Sequence, residues 1–208
     1  SGVSMDSQNH CMLLDLLSSG SSTLGDIERT LKTDPLLRQL KRHTDGRLAL
    51  HSICTSWLPD RKAKKDEIFT QKLLNDIDLL QRKIGIVVNQ FFPACELVDR
   101  NGDLPVHLLA RNLMKWETTW YERIYEQAAG DSGSSGEATQ AITQLYHSMS
   151  KCIDIVLKPI VTQAHLCSEP GSIGELLPLH IASIFTLPIS TLSEALETYP
   201  TATSEPCS

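Results

Sequence analysis

The chain has 208 residues, 41% of them apolar and 21% charged, with a formal net charge of −6. That balance is too apolar for a disordered chain and too acidic to offer nucleic acid a broad basic footprint. No apolar run approaches the roughly 20 residues of a membrane-spanning helix.

Residues 1–8 are expected to form a flexible lead, and they lack the charged and apolar regions of a secretory leader. A helix over 10–17 follows, closed by the Ser/Gly run 18–22. Thr23 or Ser22 can cap a second helix over 24–32, where Ile27 and Leu31 share an inner face. Asp34-Pro35 breaks it, and a further turn carries Leu36, Leu37 and Leu40. The next helix buries Leu48, Leu50, Ile53 and Cys54. A charged run over 60–67 then leads into a long amphipathic helix, in which Phe69, Leu73, Ile77, Leu80, Ile84 and Val88 recur every three or four residues. Phe92-Pro93 ends it, and Leu97 and Val98 supply apolar contacts on the return. Leu104, Val106, Leu108 and Leu109 mark another short helix. The segment 114–125 after it reads as an inserted helix, with Trp116, Trp120 and Ile124 on one face and Tyr121 and Tyr125 beside them. Residues 130–136 form a Gly/Ser loop. Ile142, Leu145, Met149, Ile153, Val156 and Leu157 predict a helix over 137–157, which Pro159 kinks or restarts. Residues 165–172 are a loop. A helix over 178–185, a break at 186–188 and a helix over 190–199 follow. Ser190 or Thr191 can cap the last, with Leu192, Ala195, Leu196 and Tyr199 facing in. The tail 201–208 is loose. No β alternation competes, and helices this one-sided must bury their stripes on one another. The fold class expected is all-α.

One pattern occurs three times. It runs Asp45-Gly46-Arg47-Leu48-Ala49-Leu50-His51, then Asn101-Gly102-Asp103-Leu104-Pro105-Val106-His107, then Gly174-Glu175-Leu176-Leu177-Pro178-Leu179-His180. Each copy is a glycine turn followed by a helix start, where proline loses nothing by lacking an N–H. The pattern resembles the ankyrin repeat, whose turn and first helix read Asp-x-Gly-x-Thr-Pro-Leu-His-x-Ala. Gly46, Gly102 and Gly174 stand at or near its glycine, Pro105 and Pro178 at its proline, and His51, His107 and His180 at its histidine; Ala110 and Ala182 lie near its small packing residues. The sequence departs from the family in carrying Leu48, Leu104 and Leu177 where a threonine hydroxyl would cap the helix. Its histidines lie 56 (107 − 51) and 73 (180 − 107) residues apart, against about 33 for a standard repeat. The resemblance implies a helical-repeat stack, an α-solenoid with inserted helices. It forms one domain over 9–200 with units near 9–43, 44–99, 100–172 and 173–200, the first of them a degenerate cap. It also implies that the three imidazoles lock turns rather than bind metal or move protons.

The six cysteines, at 11, 54, 95, 152, 167 and 207, include no Cys-x-x-Cys. They read as free, mostly buried thiols of a reducing compartment, so the expected location is intracellular, in the cytoplasm. No phosphate-binding glycine loop, dinucleotide fingerprint, nucleophile elbow or His-Glu-x-x-His helix is present. The spacings His51-x-x-Cys54 and His165-x-Cys167 lack the second ligand pair of a zinc site. No cofactor, metal or catalytic residue is therefore expected. The expected function is binding of a partner protein by a chain that is a monomer on its own. Its contacts would come from Asp45, Arg47, Asn101, Asp103 and Glu175 at the turns, joined by Trp116, Trp120 and Tyr121 if the inserted helix is exposed. The alternatives are a structural subunit of a larger assembly and an enzyme whose site the sequence does not announce.

Overall fold

A computed structural model describes residues 23–33, 46–56, 69–130, 135–161, 163 and 177–198. Seven α-helices lie among them: α1 Leu24–Thr33, α2 Ala49–Ser56, α3 Phe69–Gln90, α4 Pro105–Gly130, α5 Ser135–Leu157, α6 Pro178–Ile184 and α7 Ile189–Thr198, with a 3-10 turn at Phe92–Cys95. No strand occurs among the described residues, so the all-α expectation holds there. The expected lead 1–8, the helix over 10–17, the turn at Leu36 to Leu40, the charged run 60–67, the loop 165–172 and the tail lie outside the described residues, as do Asp45, Gly174 and Glu175.

Local chemistry sets the helix starts. The Thr23 hydroxyl accepts the Asp26 N–H at 3.2 Å and donates to the Asp26 carboxylate at 2.6 Å, capping α1. In α3 the stripe Leu73, Ile77, Leu80, Ile84 and Val88 is buried, as the periodicity predicts. Asn89-Gln90 and Pro93 then end the helix in the 3-10 turn.

The helices meet in two sets. α2 packs on α4, and α4 on α6; α1 packs on α3, and α3 on α5. In addition α2 packs on α3, α4 on α5 and α6 on α7. Leu50, Ile53, Ile77, Ile84, Leu109, Leu113, Met149 and Ile153 fill the space between. Asn112 in α4 donates to the Cys54 carbonyl near the end of α2 at 3.2 Å, which ties the two helices together within the core.

Several expectations change. The long helix over 69–88 is no excursion: α3 contacts α1, α2, α4 and α5 and supplies the central core. The segment 114–125 is not a separate inserted helix. α4 runs unbroken for 26 residues, about 39 Å at 1.5 Å per residue, because Arg111, Asn112 and Leu113 include no breaker between Ala110 and Met114. Gly130 closes α4, and Ser135 and Gly136 belong to α5, so these three residues are helical and not part of the loop expected over 130–136. Val98 is 37% and Leu196 38% exposed instead of facing in. Neither Ser190 nor Thr191 caps α7. The helix begins at Ile189, its first hydrogen bond runs from Leu192 N–H to the Pro188 carbonyl, and buried Thr191 donates to Asp154 on α5 at 2.9 Å.

Candidate functional site

The three histidines share one geometry. Nδ1 of His51 accepts the Leu48 N–H at 3.3 Å, Nδ1 of His107 the Leu104 N–H at 3.2 Å, and Nδ1 of His180 the Leu177 N–H at 3.2 Å. In each case the imidazole is the third helical residue and reaches back to the residue before the helix, satisfying one otherwise orphaned donor. An accepting Nδ1 carries no proton, so the ring proton resides on Nε2. The leucines that replace a hydroxyl cap are buried. Burying a leucine contributes about 1.5–3 kcal/mol, against about 1 kcal/mol for a hydroxyl cap. Leucine therefore serves this position better where the helix start faces the core.

The first two turns are also tied to one another, through Asp99. Its Oδ1 accepts the Asn101 N–H at 2.8 Å and the Asp103 N–H at 3.1 Å, and its Oδ2 accepts the Arg47 Nε–H at 3.1 Å. Gly46 and Gly102 take φ of 70° and 83°, a region that excludes most side chains. A Cβ on Gly46 would lie 3.0 Å from Arg100 Cγ and 3.4 Å from the Arg100 nitrogen, whereas one on Gly102 would meet open space. Asp103 is fully buried at the start of α4 and accepts from Arg111 at 3.2 Å.

Burial shapes the ionisation of this region. Loss of solvent pulls the His51 ring down to about 4, although Asp99 and the carbonyls of Asp103 and Leu97 oppose the shift. Among the described residues, neither His51 nor His107 has a partner within full hydrogen-bonding geometry for its buried Nε2. Desolvation likewise pulls His107 down to about 4, against the pull of Asp103. Both rings are neutral at pH 7. Burial also pushes the Cys95 and Cys152 thiols up to about 12, and Cys54 well above its usual value, which leaves three protonated, unreactive sulfurs. Among the described residues no group of three His, Cys, Asp or Glu is placed to hold a metal.

Of the residues expected at a binding surface, Arg47, Asn101 and Asp103 do gather with Gly46 and Gly102 around Asp99. Only Asn101 among them is exposed. Arg47 is committed to Asp99, and Asp103 is fully buried, where Arg111 partners its carboxylate and offsets part of the cost of leaving water. Trp120 is 1% exposed and continues the buried face of Leu113 and Ile124, so it is no surface anchor. The Trp116 side chain lies outside the described residues. Tyr121 is half-buried and donates to Glu117 at 2.8 Å, and Tyr146 of α5 donates to the same oxygen at 2.5 Å. Burial first, then these bonds, raises the Tyr121 hydroxyl, and the bond to Glu117 leads the rise at Tyr146. The pair holds α4 to α5. Asp99 is the residue that sequence reasoning missed. The signal was present, since an aspartate two residues before Asn-Gly is a common turn-closing side chain.

None of the described helices is long and apolar enough to cross a membrane. No family model matches the chain, and neither a curated protein nor a solved structure does.

Proposed function

We propose that this chain is a protein-binding module built as an ankyrin-like helical stack. The observation that carries the reading is the helix-start lock repeated at Leu48/His51, Leu104/His107 and Leu177/His180. A catalytic residue acts once, whereas a scaffold repeats its joints. The contact of α2 with α4 and α4 with α6, beside that of α1 with α3 and α3 with α5, fits stacked units whose first helices adjoin. In such a stack the turns and the outer sides of the first helices form a continuous surface for a partner protein. Asn101 at the second turn and Met114, 37% exposed on α4, represent that surface; Asp103 and Trp120 are withdrawn from it by burial.

The test is affinity purification from the native source with the wild-type chain and with the double variant Asn101→Lys/Met114→Glu. Both side chains are exposed, so the variant unfolds at the wild-type urea concentration. The reading expects a protein partner that the wild type retains and the variant loses. Equal retention by both, or no partner for either, would refute it.

A further inference from the structure

An open cleft of about 400 Å³ lies between α5 and the corner joining α6 to α7. One wall is a stripe of α5 bearing Thr143, Tyr146, His147, Lys151 and Asp154, and the other includes Thr186. Two hydrogen bonds tie the walls together. The Ser150 hydroxyl donates to the Phe185 carbonyl, and Thr191 donates to Asp154 at 2.9 Å. The space is thus held by hydrogen bonds between the elements that line it. Thr186 has φ of 47°, the only positive value at a non-glycine among the described residues. A β-branched side chain seldom takes that conformation, and such departures concentrate where a side chain is placed for use.

The groups in this cleft specify a chemistry. Lys151 and His147 are exposed and, among the described residues, neither side chain takes part in a hydrogen bond or ion pair. They stand four residues apart on one helix face and so converge on one region of the cleft. Among the described residues that line it, the cation is the Lys151 ammonium, and a lysine point charge with a neighbouring imidazole N–H suits the oxygens of a phosphate. Asp154, one turn along the same wall, would repel a bare anion. It has one oxygen bonded to Thr191 and the other left to accept from a hydroxyl. A volume in the small-ligand range also exceeds what a lone phosphate fills. We propose that this cleft binds the phosphomonoester of a small polyol, with phosphate on Lys151 and His147 and a hydroxyl on Asp154.

The experiment follows backbone amide resonances of the full chain during titration with glucose 6-phosphate, with glucose and inorganic sulfate as separate probes. Saturating shifts centred on Lys151, Asp154 and Thr186 are expected with the ester, and weaker ones with sulfate. Lys151→Gln should weaken the ester at least about tenfold, the effect of one charge-assisted hydrogen bond. Asp154→Asn retains an acceptor for Thr191; it should weaken the ester while strengthening sulfate, a reversal that general charge attraction does not produce. A final arm uses phosphatidylcholine vesicles carrying phosphatidic acid, to separate a lipid headgroup from a soluble ester. No saturating shift with the ester, equal binding of sulfate, an unchanged Lys151→Gln, or binding of vesicles alone would each overturn the proposal.

Discussion

The first two histidine turns and the third carry the same hydrogen bond in different settings. His51 and His107 are 0% and 4% exposed, and their turns interlock through Asp99, Arg47 and the contact of Gly46 with Arg100. His180 is only partly buried, and its buried neighbours Pro178 and Leu179 belong to a helix of seven residues that Leu177 precedes. The local motif therefore sets the geometry of a helix start. Its energetic weight comes from what a second turn places against it.

Acid tests the interlocked setting most sharply. An unfolded imidazole takes up its proton near 6.5, whereas His51 and His107 do so only near 4 in the folded chain. Between those values the unfolded chain binds more protons, so stability is complete above pH 6.5 and falls as the pH drops toward 4. The loss should be about 3 kcal/mol per ring, read as a falling urea midpoint. Glutamine can make the same reach-back bond without titrating, so His107→Gln should remove about half of the acid sensitivity. A midpoint that stays flat from pH 7 to pH 4 would show that the two rings are not buried as neutral groups.

Asp99→Ala should follow, at about 3 kcal/mol in urea denaturation, because it removes three hydrogen bonds and strands a partly buried Arg47. Loss of less than about 1 kcal/mol would mean that the first two turns are not coupled through this carboxylate. The smallest effect compares two glycines of similar φ. Gly102→Ala should cost about 1 kcal/mol for backbone strain alone. Gly46→Ala should cost more, since its methyl also presses on Arg100. Equal costs would place Arg100 away from the first turn.

The sequence was most informative where physics is local. The helix starts at Leu48, Leu104 and Leu177, the stripe of α3 and the cap at Thr23 all rest on contacts within a few residues. It was least informative where distant residues decide. Trp120 and Asp103 look like surface contacts by residue type, but α5 covers one side of α4 and Arg111 satisfies Asp103. The separate helix expected over 114–125 required a break after Ala110 that no residue encodes. The cleft beside Lys151 was illegible, because its far wall comes from residues more than thirty positions along the chain.

The order of amino acids alone determined that the described segments are helical, where the turns at Gly46 and Gly102 fall and which residue closes each repeated helix start, because those choices depend on backbone sterics and on hydrogen bonds a few residues in reach. Tertiary structure decided which carboxylates are buried, which long helices form the core and which cations are left facing solvent. Those outcomes depend on which surfaces meet, and a side chain's neighbours across 52 positions, as for Arg47 and Asp99, exist only once the helices have packed.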